Sequence, residues 1–241
     1  MTLLLLAGTG EARVIATALQ GRDVIASLAG VTRDPAPLAV PVCQGGFGGE
    51  AGFRDFLTRK NIHAVLDATH PYAARITARS AAVCADLGLP FCQILRPAWQ
   101  PAKGDRWTTI AQEADAAGHI PLGSTVFLGT GRQTLAGFAN LVGRRVICRQ
   151  IDPPDTPFPF AGGEFLVGRP PFSVMDETAL FTRLGVDWLV VKNAGGQASA
   201  TKLTAARALG IPVLMLARPA QGNWLTVENV QAALDWVAQC G

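Results

Sequence analysis

The residues best suited to bind an anion follow the first apolar run of the chain. Residues 3–7 contain no polar side chain, which predicts a central parallel strand covered on both faces. Gly8 and Gly10 permit a tight turn and a close approach of the backbone to a ligand. Helix-forming residues start at Glu11, and a helix start there would bind phosphate through its free N–H groups and positive dipole end. The first candidate site therefore consists of Gly8, Thr9, Gly10, Glu11 and Arg13.

This loop is an incomplete dinucleotide fingerprint. The full pattern G-x-G-x-x-G needs a third glycine at position 13, where the chain has Arg13. A strand-to-helix turn that binds nothing is therefore an open alternative.

The end of the second predicted strand, residues 23–29, bears on which dinucleotide would bind. In a dinucleotide-binding fold an acid at this end favours NAD, whereas basic and hydroxyl residues accommodate the 2′-phosphate of NADP. Ser27, Thr32 and Arg33 are present and no acid precedes Asp34. NADP is favoured if a dinucleotide binds here, and a solvated loop is the alternative.

The two halves of the sequence resemble each other. Residues 6–10 (LAGTG) recur at 127–131 (FLGTG), and residues 96–98 (RPA) recur at 218–220, with offsets of 121 and 122 residues. The repeat predicts an α/β fold of two similar Rossmann-like lobes with parallel sheets flanked by helices, and an active site in the cleft between them. We expect a cofactor-binding lobe over 1–100, a connector over 101–122 and a second lobe over 123–241. The alternative is that βα units in general look alike.

Composition excludes several classes of function. The net charge is only +3 and no basic run occurs, so nucleic-acid binding is not indicated. The first apolar run is too short to span a membrane. The three histidines are dispersed and the five cysteines form no C-x-x-C, which argues against a metal site and for reduced thiols in a cytoplasmic protein.

Seven short motifs, spread in order over nearly the whole chain, form the most specific pattern in the sequence. They are residues 6–13 (LAGTGEAR), 27–30 (SLAG), 67–73 (DATHPYA), 96–99 (RPAW), 130–132 (TGR), 168–173 (GRPPFS) and 192–196 (KNAGG). This set resembles the precorrin-6A reductase family of cobalamin biosynthesis. The resemblance implies NADPH-dependent reduction of one double bond of the precorrin-6A macrocycle to give precorrin-6B. A sibling family acts on cobalt-precorrin-6A with NADH or NADPH.

The chain departs from the family at two positions. Asn193 stands where the family more often has an aspartate, and Val31 stands where an arginine often follows the Ser-Leu-Ala-Gly stretch. The first departure replaces an anionic side chain at position 193 with a neutral amide. The second leaves the contact to a 2′-phosphate with Ser27, Thr32 or Arg33.

The implied reduction needs a hydride from the cofactor and a proton from another group. Tyr72, His70 and Lys192 are the candidate proton donors, and water is the alternative donor. Capping and packing of a helix would equally account for Tyr72 and His70. The carboxylates of the macrocycle call for basic and polar partners at strand ends and helix starts. The candidates for substrate binding are Asp67, Arg75, Arg96, Thr130, Arg132, Lys192 and Arg218, with Asp67 expected to orient a loop or a basic residue.

Two other classes stay open. A methyltransferase that uses S-adenosylmethionine also has a glycine-rich first loop, but it usually has an acid after the second strand, where residues 28–30 offer none. A two-lobed protein that binds a nucleotide or a tetrapyrrole without redox activity would need no proton donor. For the reductase, the methyltransferase of the next pathway step is a further candidate partner.

Overall fold

The leucine run at the start of the chain forms the central strand of a parallel sheet. The computed structural model describes residues 1–30 and 36–240. Strand β1 (Thr2–Leu6) is buried along its whole length. It pairs in parallel with β2 (Val24–Leu28) on one side and with β4 (Ile62–Asp67) on the other. Helices pack on both faces of this sheet, which is why the sequence of its central strand is apolar throughout.

The described residues form twelve strands, six α-helices and two 3-10 segments. The remaining strands are β3 (Val42–Gln44), β5 (Phe91–Ile94), β6 (Trp107–Ile110), β7 (Thr125–Leu128), β8 (Arg145–Gln150), β9 (Gly163–Val167), β10 (Trp188–Lys192), β11 (Val213–Leu216) and β12 (Leu225–Val227). The helices are α1 (Gly10–Ala18), α2 (Gly49–Arg59), α3 (Ala74–Asp86), α4 (Val174–Leu184), α5 (Thr201–Leu209) and α6 (Val230–Cys240). The 3-10 segments are Glu113–Gly118 and Arg132–Phe138.

The chain divides into two compact units. Unit 1 comprises Met1–Pro97 with Pro219–Gly241, and unit 2 comprises Ala98–Arg218. The sheet of unit 1 has the order β12-β5-β4-β1-β2-β3 and the sheet of unit 2 the order β6-β11-β10-β7-β8-β9, and all the pairings are parallel. The predicted α/β fold with two similar parallel sheets flanked by helices is confirmed.

In unit 1, helices cover both faces of the sheet. Successive side chains of a strand point to opposite faces. Leu3 and Leu5 therefore pack with buried residues of α1 and α6, whereas Leu4 and Leu6 pack with those of α2 and α3. This double layer aligns the carboxyl ends of the strands along one edge of the sheet, which is the edge where α/β folds place their ligands.

In unit 2, the two faces of the sheet are covered by different kinds of helix. Phe127, Leu189 and Val191 pack with buried residues of α4 and α5. The two 3-10 segments bury Ala116 and Phe138 and contact β6 and β8. The segment after Gly131 is thus a 3-10 helix, whereas the first glycine loop leads into the α-helix α1.

In each sheet, one of the two edge strands is formed by a part of the chain that comes directly after the other unit. After β5 in the first sheet the chain forms β6 of the second, and after β11 in the second it forms β12 of the first. The repeated Arg-Pro-Ala sequences at 96–98 and 218–220 lie at these two crossings. The sequence repeat therefore marks both the sheets and the points where the chain changes unit.

The unit boundaries differ from the expected ones at both crossings. The expected connector, 101–122, contains β6, an edge strand that pairs with β11. The C-terminal segment, expected in the second lobe, belongs to unit 1 because β12 pairs with β5 and α6 contacts α1. Edge strands are short and half exposed, so they lack the continuous apolar run that identifies a central strand.

No helix among residues 1–30 and 36–240 is both long and apolar enough to cross a membrane. The same residues contain no group of three or more His, Cys, Asp or Glu side chains arranged to hold a metal ion.

Candidate functional site

The Gly8–Gly10 loop lies at the carboxyl end of β1 and leads directly into α1. Gly8 has a φ of +152°, a backbone conformation that residues other than glycine rarely adopt. A Cβ atom added at Gly8 or at Gly10 would meet no atom within 4 Å. The loop is therefore open on the side where a ligand would meet the first N–H groups of α1.

Two of the predicted cofactor-binding residues, Thr9 and Glu11, use their side chains for contacts within unit 1. The Thr9 hydroxyl accepts a hydrogen bond from Ala12 N at 3.2 Å and donates one to Ala68 O at 2.8 Å. Glu11 forms an ion pair with Arg96, a predicted substrate-binding residue. Thr9 thus caps α1 and ties it to the end of β4, which leaves its backbone for a ligand. Arg13 is exposed on α1.

The predicted site for the 2′-phosphate is only partly within the described residues. Ser27 is buried in β2, and its carbonyl accepts a hydrogen bond from Ala7 N at 2.8 Å. Thr32 and Arg33 lie outside the described residues. Gly30 precedes them, and a Cβ atom there would approach Gly45 N to 3.6 Å. Two glycine-containing loops therefore run side by side at this edge of the sheet.

Asp67 ends β4 and is fully buried. Its Oδ1 accepts a hydrogen bond from Thr69 N at 2.9 Å, which fixes the turn that follows the strand. Burial raises the pKa of the Asp67 carboxyl, and the nearby hydroxyls of Thr77 and Thr69 offset this only in part. From this position Asp67 shapes the loop that presents His70 and Tyr72.

Replacement of the buried carboxyl should change the pH dependence of stability. A raised pKa means that the folded state binds the proton more tightly, so the parent chain loses stability as pH rises above the ordinary carboxyl range. Asp67→Asn keeps an acceptor for Thr69 N and removes the charge. Its free energy of unfolding should exceed that of the parent at pH 7, and the gain should vanish towards pH 4, as measured by urea unfolding.

The control is Asp187→Asn. Asp187 is exposed and accepts a hydrogen bond from Thr125 N at 2.8 Å, so it has the same backbone contact without the burial. It should show no gain at pH 7. A loss of stability in Asp67→Asn that is equal at all pH values would contradict the assignment.

His70 and Tyr72 lie together in the turn before α3. The Nδ1 atom of His70 accepts a hydrogen bond from Tyr72 N at 3.2 Å, and the two ring centroids are 5.6 Å apart. Because Nδ1 accepts, the neutral imidazole carries its proton on Nε2. Both side chains are half-buried. Unit 1 thus brings two predicted proton donors to the edge that also carries the Gly8–Gly10 loop, while Arg75 is exposed in the first turn of α3.

In unit 2 the second Gly-Thr-Gly loop follows β7. Gly129 approaches β10 closely, since a Cβ atom there would lie 3.2 Å from Val191 Cγ1. Thr130 is 7% exposed, and its hydroxyl has no hydrogen-bond partner among the described residues. Arg132 is exposed at the start of the following 3-10 segment. Lys192 ends β10, and burial lowers the pKa of its ammonium while Glu113 opposes that effect.

Asn193 joins the end of β10 to both places where the chain enters and leaves unit 2. Its Oδ1 accepts a hydrogen bond from Trp99 N at 2.8 Å, and its Nδ2 donates one to Trp99 O at 3.1 Å. Its own carbonyl accepts a hydrogen bond from Arg218 Nε at 2.7 Å. The Trp99 indole also donates to Gly196 O at 2.9 Å. The side-chain amide of Asn193 thus both accepts and donates a hydrogen bond. A carboxylate at this position could accept the bond from Trp99 N but could not donate one to Trp99 O.

Asn193→Ala should destabilise unit 2 by about 2 kcal/mol, because two part-buried hydrogen bonds are lost. Urea unfolding, with hydrogen exchange of the peptide around Trp99, measures the effect. Asn140→Ala is the control, since exposed Asn140 makes one side-chain hydrogen bond, to Ala114 O at 2.7 Å. Equal losses in the two variants would show that the Trp99 contacts add nothing.

Sequence reasoning missed three charged residues of unit 2. Arg149 on β8 and Glu177 on α4 form a buried bidentate ion pair with N–O distances of 2.8 and 2.7 Å. Lys202 on α5 donates to Ser199 O at 2.8 Å. Arg149 directly follows the apolar run of residues 146–148 in β8, which was a signal for a buried partner, whereas nothing in the sequence distinguishes Lys202 from a surface lysine.

Two parallel sheets flanked by helices, each with a glycine loop after its central strand, define an α/β protein of the Rossmann-like type. A family model described as precorrin-6x reductase CbiJ/CobK matches residues 2–238, and the chain belongs to this family.

Similar proteins cover the chain from end to end. Precorrin-6A reductase from Rhodococcus erythropolis is 44% identical over 240 residues, which is 98% of this chain and 96% of the relative. The enzyme of the same name from Rhodobacter capsulatus is 38% identical over 242 residues, covering 99% and 96%. A solved structure titled CobK precorrin-6A reductase superposes with a TM-score of 0.96 at 38% identity, covering 100% of this chain and 98% of that one.

Proposed function

We propose that this protein reduces one double bond of precorrin-6A with NADPH and releases precorrin-6B. The observation that carries the proposal is the end-to-end match to proteins named precorrin-6A reductase, at 44% and 38% identity. A full-length match means that both units, with both glycine loops, have counterparts in those enzymes. Those relatives also favour the metal-free macrocycle over cobalt-precorrin-6A.

The residues after β1 fit a dinucleotide. The space beside Gly8 and Gly10 is open, and the N-terminus of α1 offers N–H groups and a positive dipole end to a pyrophosphate. Arg13 adds an exposed cation one turn further along α1. When bound, NADPH supplies the hydride.

NADPH is proposed over NADH because of the residue types at the end of β2 and after it. No acid is present in residues 28–30 to bind a ribose hydroxyl, and Ser27, Thr32 and Arg33 are of the types that accommodate a 2′-phosphate. The ratio of kcat/KM for the two nucleotides measures this preference directly.

A proton must reach the carbon next to the one that receives the hydride. We propose Tyr72 or His70 as its source, because both lie in the turn after β4 at the carboxyl edge of unit 1. His70 holds a proton on Nε2, and the Tyr72 hydroxyl is a donor. Lys192 is the candidate in unit 2, where burial lowers its pKa and so makes its ammonium a better acid.

The carboxylates of the substrate are proposed to meet basic and hydroxyl groups. Arg132 is exposed at a helix start, and Thr130 buries its hydroxyl beside it. Arg96 reaches a substrate only in competition with its ion pair to Glu11. Arg218 donates a hydrogen bond to the Asn193 carbonyl, and its guanidinium is proposed to contact a carboxylate as well. Arg75 completes the proposed set.

We also propose a cytoplasmic location, where thiols stay reduced, because all five cysteines are free. The methyltransferase that acts on precorrin-6B is the proposed protein partner.

The test is the decay of NADPH absorbance when the protein is mixed with precorrin-6A. We expect stoichiometric oxidation and a product two mass units heavier than the substrate. Oxidation only with cobalt-precorrin-6A would move the protein to the sibling activity. Binding of the macrocycle without oxidation would leave a binding protein, and methyl transfer from S-adenosylmethionine would identify a methyltransferase.

A further inference from the structure

The ammonium group of Lys202 has few hydrogen-bond acceptors and no negative charge of its own nearby in the part of the chain that the structure describes. It lies in the first turn of α5, and its side chain is half-buried. An ammonium has three N–H donors. Among the described residues its one hydrogen-bond acceptor is Ser199 O, at 2.8 Å. An ammonium group that loses part of its hydration is stabilised by an anionic partner, because desolvation without one is costly.

The surrounding charges do not balance Lys202. Glu177, the carboxylate that acts on the charge of Lys202, uses both oxygens to bind Arg149. Arg149 and Glu177 cancel each other, so the three side chains together keep one positive charge. The positive dipole end of α5 adds to that potential. Burial, with Arg149 as a second cause and Glu177 opposing, lowers the pKa of Lys202 to about 8.

The second glycine loop lies against this lysine. A Cβ atom added at Gly129 would lie 3.6 Å from Lys202 Cδ, so the aliphatic stem runs past the loop at van der Waals distance. The next residue, Thr130, buries a hydroxyl without a partner in the described part of the chain. A cation with a single backbone acceptor and no anionic partner of its own, and a hydroxyl without a partner among the described residues, thus belong to adjoining segments at the carboxyl edge of the unit 2 sheet.

We propose that Lys202 and the loop of Gly129 and Thr130 form a binding site for one carboxylate of the tetrapyrrole substrate. This inference rests on the proposed function, in which unit 1 takes the dinucleotide. The remaining strongly anionic ligand is then a macrocycle with several carboxylates. A carboxylate here would satisfy the ammonium, restore charge balance beside the Arg149–Glu177 pair and accept the Thr130 hydroxyl proton.

Chemical labelling of Lys202 tests the site without turnover. Trinitrobenzenesulfonate reacts with unprotonated amines, and peptide mass spectrometry reports each lysine separately. In the free protein Lys202 should reach half its maximal labelling rate near pH 8. Exposed Lys60 and Lys103 are the internal controls. A carboxylate close to the ammonium raises its pKa by about one unit, so precorrin-6A alone should slow labelling of Lys202 about tenfold at pH 7.5. Lys60 and Lys103 should be unaffected.

NADPH alone is the second arm of the labelling experiment. It should leave the labelling of Lys202 unchanged. Protection by NADPH alone would mean that the anion is a cofactor phosphate, and protection by neither ligand would mean that Lys202 is structural; either result overturns the proposal. Because no reduction takes place, a protein that binds precorrin-6A and fails to oxidise NADPH would overturn the proposed function and leave this result intact.

The variant Lys202→Met supplies a kinetic readout. It keeps the length and apolar character of the stem, so the melting temperature should not fall. The KM for precorrin-6A should rise about tenfold, the effect expected for one lost charge-assisted hydrogen bond. The Kd for NADPH, measured by its fluorescence without substrate, should stay unchanged. Lys60→Met is the control on an exposed lysine. An unchanged KM together with a lower melting temperature would reject the site.

Discussion

Gly10→Ala should weaken NADPH binding about 100-fold while the protein remains as stable as the parent. The expected loss is about 2.7 kcal/mol of binding free energy. Gly10 is the first residue of α1, its φ is not in the left-handed region, and an added Cβ would meet no protein atom within 4 Å. The free protein can therefore accept the methyl group without strain, and alanine is a better helix former than glycine.

The bound state is where the methyl group would clash. A pyrophosphate held by the first N–H groups of α1 must approach the backbone to hydrogen-bond distance, about 2.9 Å, and a Cβ at Gly10 occupies that space. Titration with NADPH followed by fluorescence gives the Kd, and thermal unfolding gives the stability. The prediction thus separates a requirement of the ligand from a requirement of the fold.

Gly118→Ala is the matched control. Gly118 also has no positive φ and open space around its Cβ position, but it lies in the 3-10 segment of unit 2. It should change neither the Kd nor the melting temperature. If Gly10→Ala binds NADPH as tightly as the parent, the pyrophosphate does not lie on this loop. Gly8→Ala is less informative, because a φ of +152° would add strain to the folded state itself.

The central strands could be predicted from sequence because burial on both faces imposes a continuous apolar run. Strand β1 lies within one residue of the predicted run 3–7, and β10 contains a similar apolar run. Strands β3 and β12 have three residues each, are mostly exposed and follow no clear alternation. Nothing local distinguishes such edge strands from loops, so their existence depends on pairing with a neighbour that is distant in sequence.

The position of the candidate site could be predicted, but its internal contacts could not. Loops that follow parallel strands meet at one edge of a sheet, so motif position was enough to place Gly8–Gly10, His70 and Lys192 at such edges. The ion pair between Glu11 and Arg96 joins residues 85 apart. The Asn193 contacts with Trp99 span 94 residues. Contacts at such separations follow from the fold and not from local pattern.

Removal of one charge from the Arg149–Glu177 pair should lower the free energy of unfolding more than removal of any other charge in unit 2. Arg149 and Glu177 have side chains that are 9% and 1% exposed, and the Arg149 guanidinium stacks on Phe172 at 4.2 Å and on Phe127 at 5.1 Å. Removal of one partner leaves the other charge buried and uncompensated, which costs about 3–5 kcal/mol. We expect Arg149→Met and Glu177→Gln each to lower the free energy of unfolding by about this amount.

The double variant and an exposed pair distinguish a buried charge from simple loss of contacts. Arg149→Met combined with Glu177→Leu removes both charges, so it should cost clearly less than Arg149→Met alone. Arg145 and Glu164 form an ion pair at 2.6 Å whose side chains are 48% and 51% exposed, so Arg145→Met should cost below about 1 kcal/mol. Both arginines lie on β8, so the two variants are compared within the same strand and the same strand pairings.

Urea unfolding, with hydrogen exchange of peptides from β8 and α4, measures each variant. If Arg149→Met costs no more than Arg145→Met, the buried pair does not hold α4 and Phe172 against the sheet. The segment that carries Phe172 would then need another source of stability, and the charge balance inferred around Lys202 would have to be revised.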